Sequence, residues 1–198
     1  MQLEWALFSA PLPQVMPPHF PPLAVALDDY RARHPEEAAA VAGFAAFLAS
    51  HAAVFERSHA AGHFTGSAWL MSADGERVLL THHAKLGRWL QLGGHADGDA
   101  DLARVALREA EEESGLGGLV VEEAIFDIDR HRIPARGHEP EHWHYDVRYV
   151  VRAGGNEAFA VSAESLALAW KPVRAIAADP QADESLRRMA RKWLMRAE

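Results

Sequence analysis

The spacing of apolar residues changes period along the chain. From Leu23 to about Arg33, and again beyond Pro35, apolar positions recur every three to four residues. In the second stretch Val41, Phe44, Phe47, Leu48 and Phe55 share one face, and Pro35 suits a first helical turn. Before this pair, residues 11–22 hold six of the eleven prolines, which predicts an extended arm. From Phe64 the pattern becomes that of strands. Ser67–Ser72 and Arg77–Thr81 flank Asp74-Gly75, a hairpin turn, and Trp89 to Leu92 leads into Gly93-Gly94. A helix follows from Leu102 to Ser114, stopped by Gly115, then a strand from Val120 to about Ile133 and a loop to Glu141. In the strand after it, Trp143, Tyr145, Val147, Tyr149 and Val151 alternate with His142, His144, Asp146 and Arg148, giving an apolar and a polar face. A short strand ends at Trp170, and Asp183 caps a closing helix with the stripe Leu186, Met189, Ala190, Trp193 and Leu194. Strands alternating with two long helices predict an α/β fold, an α/β/α sandwich with a mixed sheet plus N-terminal helices. Residues 1–60 are the arm and helical extension, and 61–198 the main domain. The helical pair is read as packed on that domain, with a lid or a homodimer surface as the alternative.

The helix after Gly93-Gly94 carries an unusual load. Glu109, Glu112 and Glu113 stand at i, i+3 and i+4, so they project toward a common side, within reach of one or two hard cations. Their oxygens suit Mg²⁺ or Mn²⁺. Without a cation the arrangement opposes the helix dipole and sets like charges side by side. Arg108, four residues before Glu112, can brace it.

Composition narrows the partners. Twenty Lys and Arg against 28 Asp and Glu leave a net charge of −8, which argues against a membrane surface or an extended nucleic acid. A small anionic substrate remains compatible when a metal supplies local positive charge. The chain has no cysteine, which excludes disulfides, zinc-thiolate sites and thiol nucleophiles. Met1-Gln2-Leu3-Glu4-Trp5 has an acid where a signal peptide carries positive charge, and no apolar run reaches membrane-spanning length. The expectation is a soluble cytoplasmic protein.

Gly94 and the block Arg108-Glu109-Ala110-Glu111-Glu112-Glu113-Ser114-Gly115-Leu116 resemble the signature of the Nudix hydrolases: Gly, five residues, Glu, seven residues, then Arg-Glu-apolar-any-Glu-Glu-any-Gly-apolar. One position departs, because the first Glu falls on Ala100. Asp97, Asp99 and Asp101 lie close enough in sequence to substitute. The segments around His63, His95 and His144 look like an uncharacterised Nudix subgroup with its own N-terminal helices. The resemblance covers roughly residues 60 to 198 and implies the sandwich fold. It also implies divalent-metal-dependent hydrolysis of a nucleoside diphosphate linked to another group, by water attack on phosphorus. The expected metal ligands are Glu109, Glu112, Glu113 and the carbonyl of Gly93, with Glu109 as ligand or base. The resemblance also points to Glu164 as a second candidate base. Candidate substrate-binding residues are His95, Arg130, His144 and Arg148, with Arg132 beside them. The alternative is a Nudix-like module that binds a nucleotide or a partner without turnover. An isomerase reading is disfavoured because the related isomerases use a cysteine.

Overall fold

A computed structural model describes residues 21–84, 87–137, 139–160 and 165–196. Apart from Pro21 and Pro22, the proline-rich arm falls outside the described residues, as does Glu164. Two helices, α1 (Leu23–Arg33) and α2 (Ala38–Ser50), precede β1 (Gly62–Met71), β2 (Arg77–His83), β3 (Arg88–Leu90) and β4 (Leu92–His95). Then come α3 (Leu102–Ser114), β5 (Val120–Ile133), β6 (His142–Arg152), β7 (Ser165–Pro172), α4 (Val173–Ala178) and α5 (Glu184–Arg196). The strands form one mixed sheet in which β1, buried along its whole length, is central. It runs parallel to β6 and antiparallel to β4 and β2, while β5 extends the sheet antiparallel to β6.

Helices cover both faces, as the strand and helix pattern predicts. On one side α1, α2 and α3 close a core with Phe64, Ala68, Leu70, Tyr145, Val147 and Tyr149. On the other, α4 and α5 cover Trp69, Met71, Leu80, Phe126 and Val150. Alternation along β1 and β6 divides the two cores. The N-terminal helices share the first core directly: Phe47 of α2 stacks on Tyr145 at 3.8 Å between ring centroids, and Phe44 meets the same ring edge-on. Arg33 at the end of α1 donates to the carbonyl of Ile125 at 2.9 Å. The short α4 was not expected from the sequence.

The site helix is set at both ends. Asp101 caps α3 by accepting from the Arg104 N–H at 3.1 Å, which satisfies one orphan donor of the first turn. At the other end Gly115 takes φ 68° and donates to the carbonyl of Glu111, a left-handed cap that a residue with Cβ adopts only under strain. Between them Leu102, Ala103, Val105, Ala106 and Ala110 are buried, so Glu109, Glu112 and Glu113 occupy the remaining arc.

Candidate active site

The polar face of the sheet is organised in rungs running across β1, β6 and β5. Parallel pairing aligns His63 with His144, Thr65 with Asp146 and Ser67 with Arg148. Antiparallel pairing sets His131 opposite His144, Asp129 opposite Asp146 and Asp127 opposite Arg148. The upper rung is therefore imidazole, the middle one carboxylate and hydroxyl, and the lowest an ion pair running under α5.

Above these rungs lies a cleft of about 590 Å³ lined by Gly93, Gly94, His95, Glu109, Glu112, His131, His144 and Asp146, with Arg57 and Arg108 at its sides. The glycine pair lets β4 pass between strand and helix. A Cβ on Gly93 would fall on the Ser67 hydroxyl, and one on Gly94 would sit 2.5 Å from the Glu109 carboxylate. The expected acids reach this region by different routes. Glu109 and Glu112 line the cleft, and Glu109 accepts from Arg108 Nη2 at 2.9 Å. The same guanidinium nitrogen donates to the carbonyl of His95 at 3.0 Å, tying the acidic helix to β4. Glu113 accepts from the Gly93 N–H at 2.7 Å, which holds its carboxylate beside the residue whose carbonyl is the expected ligand.

Of the residues expected to bind substrate, His95 and His144 line the cleft. Arg148 does not. It is 2% exposed, and its guanidinium is shared among Asp146, Asp127 and Asp129 at 2.7, 3.1 and 3.1 Å. It supports the floor from below and has no face toward a ligand in the cleft. Arg130 also departs from the expectation. Its neighbours Asp129 and His131 belong to the rung face, so strand alternation turns Arg130 to the opposite side, where it lies 4.7 Å over the ring of Trp143. Arg132 pairs there with Glu141. The three aspartates near Ala100 are engaged by other groups: Asp97 binds Arg57, Asp99 binds Arg104, and Asp101 caps α3.

Asp146 was read only as part of a polar face, yet it is the best-anchored acid in the cleft. It accepts from Thr65 and Ser67 at 2.9 and 2.7 Å, and from Gln91 and Arg148 at 3.2 and 2.7 Å. Beneath it, burial alone would raise the Asp127 carboxyl. The hydrogen bond from Arg188 and the charges of Arg148, Arg188 and Lys192 outweigh that and hold it below its ordinary range. Asp129 is held low in the same way by His131, Arg148 and Arg188 against its own burial. Arg57, missed in the sequence, is fixed at the rim by a two-pronged pair with Asp97 at 2.6 and 2.5 Å. No local motif announced it, because Arg57 and Asp97 are 40 residues apart.

An all-oxygen set at Glu109, Glu112, Glu113 and the Gly93 carbonyl is chemically suited to a hard divalent cation. The Glu109 carboxylate packs into the space that a Cβ on residue 94 would fill, so the glycine is what admits this acid to the set.

Comparisons with known proteins agree with this geometry. The family model of the NUDIX domain matches residues 63–193, well over half of the chain. Among solved structures, a Nudix-family hydrolase from Clostridium perfringens is 25% identical, covers 69% of this chain and 98% of its own, and superposes with a TM-score of 0.51. A Caenorhabditis elegans Ap4A hydrolase shares 16% identity over 68% of this chain and 96% of its own, TM-score 0.53. The Escherichia coli dihydroneopterin triphosphate pyrophosphohydrolase shares 16% over 67% and 95%, TM-score 0.54. The latter two show likeness of fold alone. A comparison with curated proteins finds no significant match. With the signature placed on a strand, glycine turn and helix, and the family model spanning the sheet from β1 to α5, the chain belongs to the Nudix hydrolase family.

Proposed function

We propose that this chain hydrolyses the diphosphate linkage of a nucleoside diphosphate joined to a second group, using Mg²⁺ or Mn²⁺ at the acidic face of α3. The observation that carries this reading is the delivery of Glu109 and Glu112 into the same cleft as the glycine turn, with Glu113 bonded to Gly93 beside it. Glu112, Glu113 and the Gly93 carbonyl would hold the cation, which when bound screens phosphate charge and makes water a stronger nucleophile. Glu109, oriented by Arg108, accepts the proton of the attacking water as its oxygen bonds to phosphorus and the bridging P–O bond breaks. Arg57 and Arg108 flank the path of the phosphates and supply N–H donors. The cysteine-free composition and the small anionic substrate suit the cytoplasm, and no described helix is long and apolar enough to cross a membrane.

The substrate class is tested by incubating the full-length protein with nucleoside diphosphate sugars, dinucleoside polyphosphates and nucleotide cofactors. Each is scored for mononucleotide and phosphate release with Mg²⁺ and with EDTA. Metal-dependent release from at least one class is expected. Tight binding of such compounds with no product, with or without metal, would instead support the binding-module alternative.

A further inference from the structure

The cleft holds a second cluster that the hydrolytic reading does not use. His63 of β1, His95 of β4 and His144 of β6 bring their rings together, with centroids 5.0, 4.7 and 5.2 Å apart for the pairs 63–95, 63–144 and 95–144. One ring nitrogen from each lies within 4.8 Å of the other two. The three come from separate strands, so the grouping is a product of sheet register and not of local sequence.

His63 is the most telling member. It is 2% exposed, and neither Nδ1 nor Nε2 has a hydrogen-bond partner among the described residues. A buried imidazole left in that state destabilises the fold, so the position calls for a ligand that completes it. The neighbouring His142 donates from Nδ1 to the carbonyl of Pro140 at 2.9 Å, and its Nε2 lies 3.3 Å from Nε2 of His144. It thereby orients His144, as outer hydrogen-bond partners orient metal-bound imidazoles.

We propose that His63, His95 and His144 form a transition-metal site of the zinc class on the floor of the cleft, separate from the acidic helix. Imidazole nitrogen suits zinc, nickel or copper and is a poor match for Mg²⁺, which prefers the oxygens of Glu109, Glu112 and Glu113. A tetrahedral zinc with bonds near 2.05 Å sets its ligand nitrogens about 3.3 Å apart, so binding would draw the three rings inward from nitrogen separations of up to 4.8 Å. The fourth position then faces the cleft that His95 and His144 line, open to water or to an anionic group of a bound molecule. An anion held by imidazolium charge is the competing use of such a cluster. The surroundings of His63 argue against it, because a buried ring with no hydrogen-bond partner at either nitrogen among the described residues has no carboxylate to balance an imidazolium charge. The group His34, Glu36 and Glu37 at the start of α2 also has metal-like spacing. There Glu37 already receives Lys192 and Tyr30 at 2.5 and 2.6 Å.

The test uses the full-length protein stripped with EDTA, exchanged into metal-free buffer and titrated with ZnCl₂ or CoCl₂. Zinc is counted per chain and cobalt is followed by its visible absorption. One tight zinc per chain and the intense cobalt bands of a four-coordinate imidazole site are expected. His63→Phe and His95→Ala should each weaken zinc by about 100-fold or more, while Glu112→Gln leaves the affinity unchanged. Removing the unpartnered imidazole should also raise the Tm of metal-free His63→Phe. If that variant does not fold, His95→Ala decides, because His95 lies on the cleft wall. No zinc on the parent, or zinc that survives His95→Ala and is lost in Glu112→Gln, would overturn the proposal.

Discussion

At the scale of single residues, the structure separates groups that sequence alternation had put together. His144, Asp146 and Arg148 do share one face of β6, as their spacing required. Their environments nevertheless descend from open cleft to sealed interior within four residues. The reason is the partner strand: Asp127 and Asp129 stand in register with this segment, and a pairing some 20 residues away leaves no trace in the local pattern. Asp101, close in sequence to Ala100, is used by the helix itself, capping α3 by accepting from the Arg104 N–H. Asp101→Ala is therefore expected to destabilise the protein by about 1 kcal/mol while leaving the Mg²⁺ dependence of activity unchanged. A chemical denaturation series and a metal titration on the same variant check both halves. Gly94 behaves in the opposite sense. A methyl there collides with the Glu109 carboxylate, so Gly94→Ala should lower kcat at least about tenfold through displacement of that group, with a smaller proportional effect on KM.

At the scale of elements, the strands, the hairpin at Asp74-Gly75 and the long helices α3 and α5 were legible because each carries a clear period or turn chemistry. The bulge in β5 was not. Pairing shifts between Ile125 and Asp127, so Phe126 and Asp127 both serve the α5 side, one in its apolar core and the other in its ion pairs. Such a bulge re-aims a side chain without changing strand composition. Asp127 has no exposure and meets Arg148, Arg188 and Lys192. Removing its charge takes one partner from each of three cations, which keep Asp146, Asp129 or Glu37, so Asp127→Asn should cost about 3 kcal/mol at neutral pH. The pH dependence follows from its lowered folded-state pKa. Between that value and the unfolded value of about 3.9, the unfolded chain binds more protons, so stability rises with pH. The contribution is complete above the unfolded value and lost as pH falls through the folded one. Urea unfolding of the parent should show this loss below about pH 4, and Asp127→Asn should show a shallower decline over the same range.

At the scale of the whole molecule, the N-terminal helices are built into the sandwich. Phe44 and Phe47 pack against Phe64 and Tyr145, and a chain of contacts from Tyr30 and Glu37 through Lys192 ends on Asp127. The spacing of apolar residues predicts a packed helical pair, but nothing in it identifies the aromatic ring that receives Phe47. Phe47→Ala should remove about 3 kcal/mol or more and lower the Tm of the entire protein in a single transition. A separate early transition would show that α1 and α2 unfold on their own.

The account rests most heavily on the acidic face of α3 as a metal-binding, hydrolytic surface. The most direct measurement is a Mg²⁺ titration of hydrolysis, on whichever diphosphate substrate the parent accepts, for the parent and for Glu112→Gln. Glu112 is exposed and makes none of the core contacts of α3, so the variant should fold with an unchanged or slightly higher Tm. Relieving like-charge repulsion near the helix C-terminus favours that direction. The account predicts a loss in kcat of about 100-fold or more, not recovered at high Mg²⁺, and no turnover by the parent in EDTA. Full activity of Glu112→Gln, or of the parent without a divalent cation, would contradict it.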